Sequence, residues 1–304
     1  MPLKPIEYID RSTGDLCVEK VYGERVLKLL YGDSNWGRIL AAPMRSILGR
    51  VPWVSAFYGW MQKQGYSRGK IRPFIAEFGI DPDEFELSIE QFSSFNDFFV
   101  RKLKPEARPV DADPEGLVLP ADGRYRVYER VDLATDIAVK GGHFRLDCLL
   151  NDREMARRYE GGSLVMVRLA PPDYHRFHFP ASGVATVARP IRGWLYSVNP
   201  WAVQRFPQIL WQNKRQVTQL STELFGEIAM VAIGATCVGT IVETYEAGPV
   251  VKGQEKGYFE FGGSAMVLLF EPGRVQLAGD LLANSARGLE TLGHMGQLLG
   301  RRRG

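Results

Sequence analysis

From about residue 115 onward the sequence is a succession of short β-type runs separated by turns, and this feature constrains the fold most. Apolar and β-branched residues dominate the runs, with Gly, Pro, Asp and Asn between them. The runs are LVLPADGRYRVYERV, LVMVRLA, GVATVARPIRGWLYSV, GEIAMVAIGATCVGTIVETY and SAMVLLF. They predict a β-rich domain over residues 106–304, which is large enough to be a catalytic domain.

The region before residue 106 has a different composition and predicts helices. No acidic residue lies between Asp33 and Glu77, and apolar and aromatic residues recur there at helix-like spacing. The basic residues of this stretch are Arg38, Arg45, Arg50, Lys63, Arg68, Lys70 and Arg72. Two interpretations stay open: amphipathic helices on an anionic membrane surface, or a helical bundle packed on its own domain. The predicted class is α+β, with a helical, membrane-associating segment over residues 1–105 before the β-rich domain.

Two further helices are expected. Residues 88–103, SIEQFSSFNDFFVRKL, read as one helix that Ser88 opens as N-cap with Gln91 at the capping-box position. Residues 283–304, ANSARGLETLGHMGQLLGRRRG, read as a helix with a basic tail.

Composition excludes several classes of function. A formal net charge of +3 on 304 residues, without an arginine-rich or RNP-like segment, argues against a nucleic-acid partner. Cys17, Cys148 and Cys237 form no CxxC pair, which argues against a disulfide framework or a zinc site. No signal peptide opens the chain and no apolar run reaches the roughly 18 residues that span a bilayer. We expect a peripheral protein on the cytoplasmic face of a membrane.

Histidine is rare, and its distribution points to a site. Of His143, His175, His178 and His294, two lie within LAPPDYHRFHFPASG, which reads as a strand leading into a loop. The alternatives are a pair of hydrogen-bonded surface histidines, or a metal pair that lacks a third ligand at a familiar spacing. Asp122, in LVLPADGRY, is by itself an ordinary Asx turn, but aspartate, histidine and serine together can activate a hydroxyl nucleophile.

The stretch YFEFGGSAMVLLF places two glycines inside an apparent buried strand. Gly262 and Gly263 indicate either a bulge or corner in a sheet, or a point where the backbone must be approached closely. Ser264 follows them but lacks the second glycine of a GxSxG nucleophile turn. A hydroxyl held against the preceding carbonyl can attack its own peptide bond, given a base and strain.

Five segments in order resemble the phosphatidylserine decarboxylase family. They are LPADG, APPDYHRFHFPASG, GWLYSVNPWAV, VAIGATCVGTI and KGQEKGYFEFGGS. Upstream, FNDFFVRKLKPEARPV is similar to the family's segment that leads into the β domain, so the likeness covers about residues 90 to 272. The helical region before it resembles the family's membrane-associating N terminus more loosely.

The resemblance implies a pyruvoyl enzyme that cuts its own chain between Gly263 and Ser264. Asp122, His178 and Ser264 match the family's self-cleavage triad, and His175 matches the histidine tied to decarboxylation. Ser264 is then the precursor of a covalent pyruvoyl group, and no metal is implied.

The implied substrate is phosphatidylserine, whose amine forms a Schiff base with the pyruvoyl ketone before carbon dioxide leaves and phosphatidylethanolamine is released. The partners implied are this lipid and an anionic membrane surface. The two cleaved chains, 1–263 and 264–304, are also expected to bind each other. The sequence defines no oligomeric state, and a homodimer stays open because β-rich enzymes of this kind often pair.

Two alternatives remain at this stage. One is a pyruvoyl decarboxylase of a soluble amino acid or of another serine phospholipid. The other is an uncleaved, non-catalytic membrane-binding relative, which Ala265 alone supports because the family commonly has threonine after the cleavage serine.

Overall fold

A computed structural model describes residues 5–24, 52–131, 145–235 and 240–304 of the chain. Their strands are β1 (Glu7–Asp10), β2 (Leu16–Val18), β3 (Gly116–Val118), β4 (Gly123–Val131), β5 (Gly162–Leu169), β6 (Arg176–His178), β7 (Gly183–Ala185), β8 (Arg189–Ile191), β9 (Arg215–Thr222), β10 (Gly226–Gly234), β11 (Ile241–Glu243), β12 (Gly248–Val250), β13 (Glu255–Phe259), β14 (Ser264–Phe270), β15 (Val275–Leu277), β16 (Glu290–Gly293) and β17 (Leu298–Arg302). Their α-helices are α1 (Pro52–Gln62), α2 (Ile71–Phe78), α3 (Phe95–Phe99), α4 (Leu146–Leu150), α5 (Arg153–Arg158), α6 (Pro200–Arg205), α7 (Ile209–Gln212) and α8 (Gly279–Ala286). Short 3-10 helices cover Gly65–Lys70, Pro82–Glu84, Ile89–Gln91 and Pro105–Ala107. The predicted β-rich character is confirmed.

An eleven-stranded sheet organises the molecule. Its order is β12-β7-β9-β10-β14-β5-β4-β16-β1-β2, and β8 also pairs with β9. β1 and β16 are parallel, and the other pairs of this sheet are antiparallel. Both ends of the chain therefore contribute strands to one sheet.

The central strands are buried on both faces, which explains their continuous apolar runs. In β14 every residue is buried: Met266, Leu268 and Phe270 face one core cluster. Ala265, Val267 and Leu269 face a second cluster, in which helices α4 to α7 pack on the sheet.

Two three-stranded sheets contain the remaining strands of the described residues. One has the order β11-β13-β6 and the other β15-β17-β3. The chain passes directly from β13 of the first small sheet to β14 of the main sheet. The sequence YFEFGGSAMVLLF thus spans a corner between two sheets. A corner is one of the two explanations predicted for the glycine pair.

A third core cluster consists mainly of phenylalanine side chains from the N-terminal half, together with one phenylalanine from the corner. Its buried members are Ile71, Phe74, Ile75, Phe85, Phe92, Phe95, Phe98, Phe99 and Phe261. The Phe261 ring lies 5.2 Å from Phe95 and 5.0 Å from Phe99, measured between centroids. Helix α3 is therefore packed against Phe261, which lies just before the two glycines and Ser264.

The single helix predicted for residues 88–103 is wrong. The chain forms a 3-10 turn at Ile89–Gln91, breaks, and restarts as α3. Ser94 is extended and its hydroxyl accepts a hydrogen bond from the Asp97 N–H, so it caps α3 instead of continuing a helix. The predicted contact of Gln91 with the Ser88 N–H is present, at 2.8 Å.

The predicted C-terminal helix is also wrong over most of its length. Only α8 is helical, and Gly288 follows it with a left-handed φ of 78°. Residues 290–293 and 298–302 then form β16 and β17, which pair with β4 and β3. Short apolar runs next to glycines give an ambiguous pattern, and pairing with distant strands decides it.

The N-terminal region is not wholly helical, because β1 and β2 join the main sheet. The domain boundary near residue 105 stays a prediction. Arg38, Arg45 and Arg50 lie outside the described residues, as do His143 and Cys237. Within the described ranges, none of the helices has the length and apolar character needed to cross a membrane.

Candidate functional site

The two glycines of the corner before Ser264 differ in their backbone conformation and in their surroundings. Gly262 has a φ of 141°, a conformation that residues with a side chain rarely adopt. A Cβ atom at Gly263 would meet only the Val198 side chain, at 3.7 Å. The Phe261 N–H donates to Asn96 Oδ1 at 2.9 Å. The backbone therefore favours glycine at 262, whereas the space that a side chain would occupy at 263 is open.

Ser264 begins β14 at the centre of the main sheet. It lies in register with Gly234 of β10 and Leu169 of β5, and it is fully buried. Its Oγ lies 3.4 Å from His175 Nδ1. The structure thus brings the predicted nucleophile and one predicted histidine into contact.

His175 is held by its neighbours on every side. It is fully buried, and its ring stacks on Phe99 with centroids 3.9 Å apart. Its Nε2 lies 3.0 Å from the Ala170 carbonyl, and its own carbonyl accepts from the Phe259 N–H. Because Nε2 faces a carbonyl, it carries the proton and leaves the Nδ1 lone pair towards Ser264.

The electrostatics of His175 oppose a positive charge. Burial, followed by the nearby Arg101 guanidinium, lowers the pKa of His175 to about 3. Near neutral pH the imidazole is uncharged, so it accepts the hydrogen bond from the Ser264 hydroxyl.

Asp122 lies in the turn between β3 and β4, as predicted, but its partners are unexpected. Its carboxylate accepts from Arg108 Nε, and from the Met295 N–H at 2.8 Å. His294 Nδ1 lies 3.2 Å from the same carboxylate. Burial alone would raise the pKa of Asp122, but the hydrogen bond from His294 and the charge of Arg108 outweigh it and lower the pKa.

His178 is brought near this centre without joining it by a hydrogen bond. Its Nδ1 lies 3.4 Å from the Pro120 carbonyl, and its ring stacks on Tyr174. Burial lowers the pKa of His178, while Glu255 and Asp122 act in the opposite direction. Among the described residues, neither Asp122 nor Ser264 forms a hydrogen bond with His178.

Sequence reasoning missed three side chains of this site. Arg108 bridges Asp122 and Glu84, and His294 reaches Asp122 from the far end of the chain. Arg101, from the FVRKL segment, lies near His175. Arg108 stands in a stretch that reads as a loop, and His294 in one that reads as a helix, so no local signal marked either.

No cluster of metal ligands exists among the described residues. Cys17 and Cys148 are both unbridged thiols.

Comparisons with known proteins agree with the ordered motifs. The family model described as phosphatidylserine decarboxylase matches residues 95–300. A phosphatidylserine decarboxylase proenzyme of Chlamydia caviae is 44% identical over 300 residues, which are 98% of this chain and 99% of that protein. The proenzyme of Fusobacterium nucleatum is 42% identical over 99% of both chains, and that of Clostridium tetani is 40% identical over 98% of both. The ordered motifs, the family model that matches residues 95–300 and these relatives together show that this chain belongs to the phosphatidylserine decarboxylase family.

Proposed function

We propose that this protein cleaves itself between Gly263 and Ser264 and then decarboxylates phosphatidylserine to phosphatidylethanolamine. The observation that carries the proposal is the placement of a buried serine, after a glycine corner, against a neutral histidine in a chain of this family. The relatives' description as proenzymes supports a processing step.

In the cleavage step, Ser264 Oγ attacks the Gly263 carbonyl carbon while a base takes the hydroxyl proton. The new bond is an ester, the Gly263–Ser264 peptide bond breaks, and the proton returns to the Ser264 nitrogen. Elimination then breaks two bonds of residue 264: a base takes the proton from its Cα, and the Cβ–Oγ bond breaks to release residue 263 as a carboxylate. Hydrolysis of the remaining unsaturated end, with loss of ammonia, leaves a pyruvoyl group.

Contact and charge point to different histidines as the base. His175 touches the Ser264 hydroxyl, but burial and then the Arg101 guanidinium oppose its protonation. Burial also lowers the pKa of His178, but the carboxylates of Glu255 and Asp122 act against this and favour an imidazolium. Hydrogen bonds of catalytic groups are often long before the reacting geometry forms. We therefore assign the base to His178, supported by Asp122, and the orientation of the hydroxyl to His175.

The residues around position 264 fit a pyruvoyl group, because the position is fully buried and the His175 ring lies beside it. Such a group supplies a carbonyl that takes up the electrons released as carbon dioxide leaves. His175 Nδ1, 3.4 Å from the Ser264 side chain, is the atom that would hold and deliver the proton at this position. Packing of Phe99 on His175 keeps water from the same place.

The helical region supports action at a membrane surface. Phe57 and Trp60 of α1 are 56% and 55% exposed, and their rings stack on each other. Tyr58 of the same helix contacts Phe261, and the adjacent Lys63 pairs with Glu260 at 2.6 Å. One helix thus connects an exposed aromatic surface to the corner before Ser264, and apolar rings with basic neighbours favour an anionic bilayer surface.

The cleaved chains are expected to stay together. The chain after Ser264 contributes β14 between β10 and β5, and β16 and β17 pair with β4 and β3. Separation would require breaking these ladders and exposing both cores.

Purified protein provides the test of the function. We expect two fragments that meet at residues 263 and 264, with a blocked N terminus on the shorter one, and release of labelled carbon dioxide from carboxyl-labelled phosphatidylserine. Ser264→Ala should stay intact and inactive. An intact wild-type chain, or a cleaved chain that releases no carbon dioxide, would refute the proposal.

Vesicle flotation tests the membrane part. A Phe57→Ser/Trp60→Ser double variant should bind vesicles containing anionic lipid less than wild type, and high salt should weaken the binding of both. Val187→Ser is the matched control, since Val187 is 75% exposed on a different part of the chain. Equal flotation of the double variant and the control would refute the assignment of Phe57 and Trp60 to the membrane-binding surface.

A further inference from the structure

Arg101 is a buried cation whose hydrogen-bonding capacity is only partly used. The residue is 4% exposed, and its Nη2 donates to the Pro172 carbonyl at 3.0 Å and to the Asp173 carbonyl at 3.3 Å. Its Nε and Nη1 are buried and have no hydrogen-bond partner. The guanidinium carbon lies 5.3 Å from the Phe85 ring and 4.9 Å from the Phe98 ring. Leaving buried charged donors without acceptors is costly, so such a group requires an explanation.

Arg215 shows how the same chain buries an arginine for structural purposes. It is 3% exposed, and all three of its nitrogens donate to carbonyls, those of Leu149, Asn213 and Cys148. Arg168, also buried, is paired with the carboxylates of Glu19 and Glu290. Arg101 has neither arrangement.

Arg101 is tied to the same turn that holds the reaction centre. Its Nη2 binds carbonyls at Pro172 and Asp173, while the Ala170 carbonyl, at the start of that turn, is the partner of His175 Nε2. The other nitrogen of that imidazole contacts Ser264. Phe99, which stacks on His175, precedes Arg101 by two residues at the end of α3.

We propose that Arg101 binds the phosphodiester of the substrate headgroup, with Nε and Nη1 as the donors. The proposal rests on the proposed function for the identity of the substrate. The two unpartnered N–H groups point in different directions, so each can donate a separate charge-assisted hydrogen bond to an anionic oxygen. The substrate carboxylate is the less suitable ligand, because pairing stabilises the charge that must be lost and would slow decarboxylation.

The binding test needs no pyruvoyl group. Ser264→Ala protein is titrated with glycerophosphoserine by calorimetry, alone and combined with Arg101→Gln, Arg101→Lys or Arg215→Lys. Loss of a charge-assisted hydrogen bond should weaken binding by about tenfold or more in Arg101→Gln. Arg101→Lys should retain part of the affinity, and Arg215→Lys should bind as the parent does. Arg101→Lys also keeps the test decisive if Arg101→Gln fails to fold.

Kinetics on cleaved protein supply a second readout. Arg101→Lys should cleave itself normally and raise the KM for detergent-dispersed phosphatidylserine by about tenfold, with little change in kcat. Unchanged binding and KM in both Arg101 variants would overturn the inference and assign the guanidinium to packing between Phe85 and Phe98. Inorganic phosphate that binds through Arg101 without competing with glycerophosphoserine would also overturn it, as a site for free phosphate.

The two proposals fail separately. A wild-type protein that binds glycerophosphoserine through Arg101 but releases no carbon dioxide would refute the proposed function alone. One that decarboxylates the lipid with a KM independent of Arg101 would refute this inference alone.

Discussion

Separate replacement of the two clustered histidines tests the division of labour between them. His178→Ala removes the proposed base, and His175→Ala removes the group in contact with the Ser264 hydroxyl. Both side chains are buried, His175 completely and His178 to 5% exposure, so each variant is a packing control for the other. We expect His178→Ala to slow self-cleavage strongly and His175→Ala to slow it weakly but abolish decarboxylation.

The magnitudes follow from charge and contact. A pKa of about 3 for His175, against a usual value near 6.5, means that protonating it costs roughly 5 kcal/mol more than in water. It is therefore a poor base, and its loss removes one long hydrogen bond worth about 1 kcal/mol, which corresponds to about a fivefold slower cleavage. Removing a general base typically costs about 10²- to 10⁴-fold, and this range is expected for His178→Ala.

The assay follows newly translated protein on denaturing gels over time, with mass spectrometry of the shorter fragment. Ser264→Ala gives the uncleaved reference, and circular dichroism confirms that each variant is folded. Normal cleavage in His178→Ala together with a 10²-fold or greater loss in His175→Ala would refute the assignment. The contact with Ser264 would then identify the base, and the electrostatic reasoning would be wrong.

Three further predictions concern the corner, the fragments and the Asp122 cluster. Gly262→Ala should lower the free energy of unfolding by about 1–3 kcal/mol in urea titrations of Ser264→Ala protein, because φ is 141°, whereas Gly263→Ala should have little effect. Wild-type fragments should co-elute in native size-exclusion chromatography and separate only in denaturant, and separation without denaturant would contradict the strand pairings of β14. The hydrogen bond to Asp122 raises the pKa of His294 in the folded protein. The pairing therefore contributes its full stabilisation below about pH 6.5, the pKa of histidine in the unfolded chain, and this stabilisation is lost as the pH rises through the pKa of the folded state. His294→Gln should therefore destabilise Ser264→Ala protein more at about pH 5.5 than at about pH 9 in the same titrations, and an equal loss at both would exclude the ion pair.

The sequence predicted elements where a local pattern had one physical meaning. The apolar run of β14 indicated a buried strand, and the Asp122 turn and the strand before His175 were also correct. Patterns failed where distant partners decide. Ser94 interrupts an apolar stretch that otherwise reads as a helix, and residues 290–302 become strands because β4 and β3 lie beside them.

The composition of the site was easier to predict than its connections. Residue types and ordered motifs selected Asp122, His175, His178 and Ser264 as candidates, and their catalytic roles stay predictions. Which histidine touches the serine is set by the hydrogen bond between Phe259 and His175 and by the register of β14 on β5, and neither has a sequence signal. Arg108 could not be recognised as a site residue for the same reason, because its charge partners Glu84 and Asp122 lie in other segments of the chain.

If Arg101 binds the headgroup, it would also help one buried histidine to be neutral in one step and a proton donor in the next. Burial, and after it the positive charge of Arg101, lowers the pKa of His175, which keeps the imidazole neutral as an acceptor for the Ser264 hydroxyl. A phosphodiester bound to Arg101 would offset that charge, so the pKa of His175 should rise only when substrate is present. The histidine would then take up the proton that the decarboxylation product requires at position 264. On this proposal, the part of the pKa shift that comes from Arg101 would make the later role of His175 dependent on the lipid headgroup.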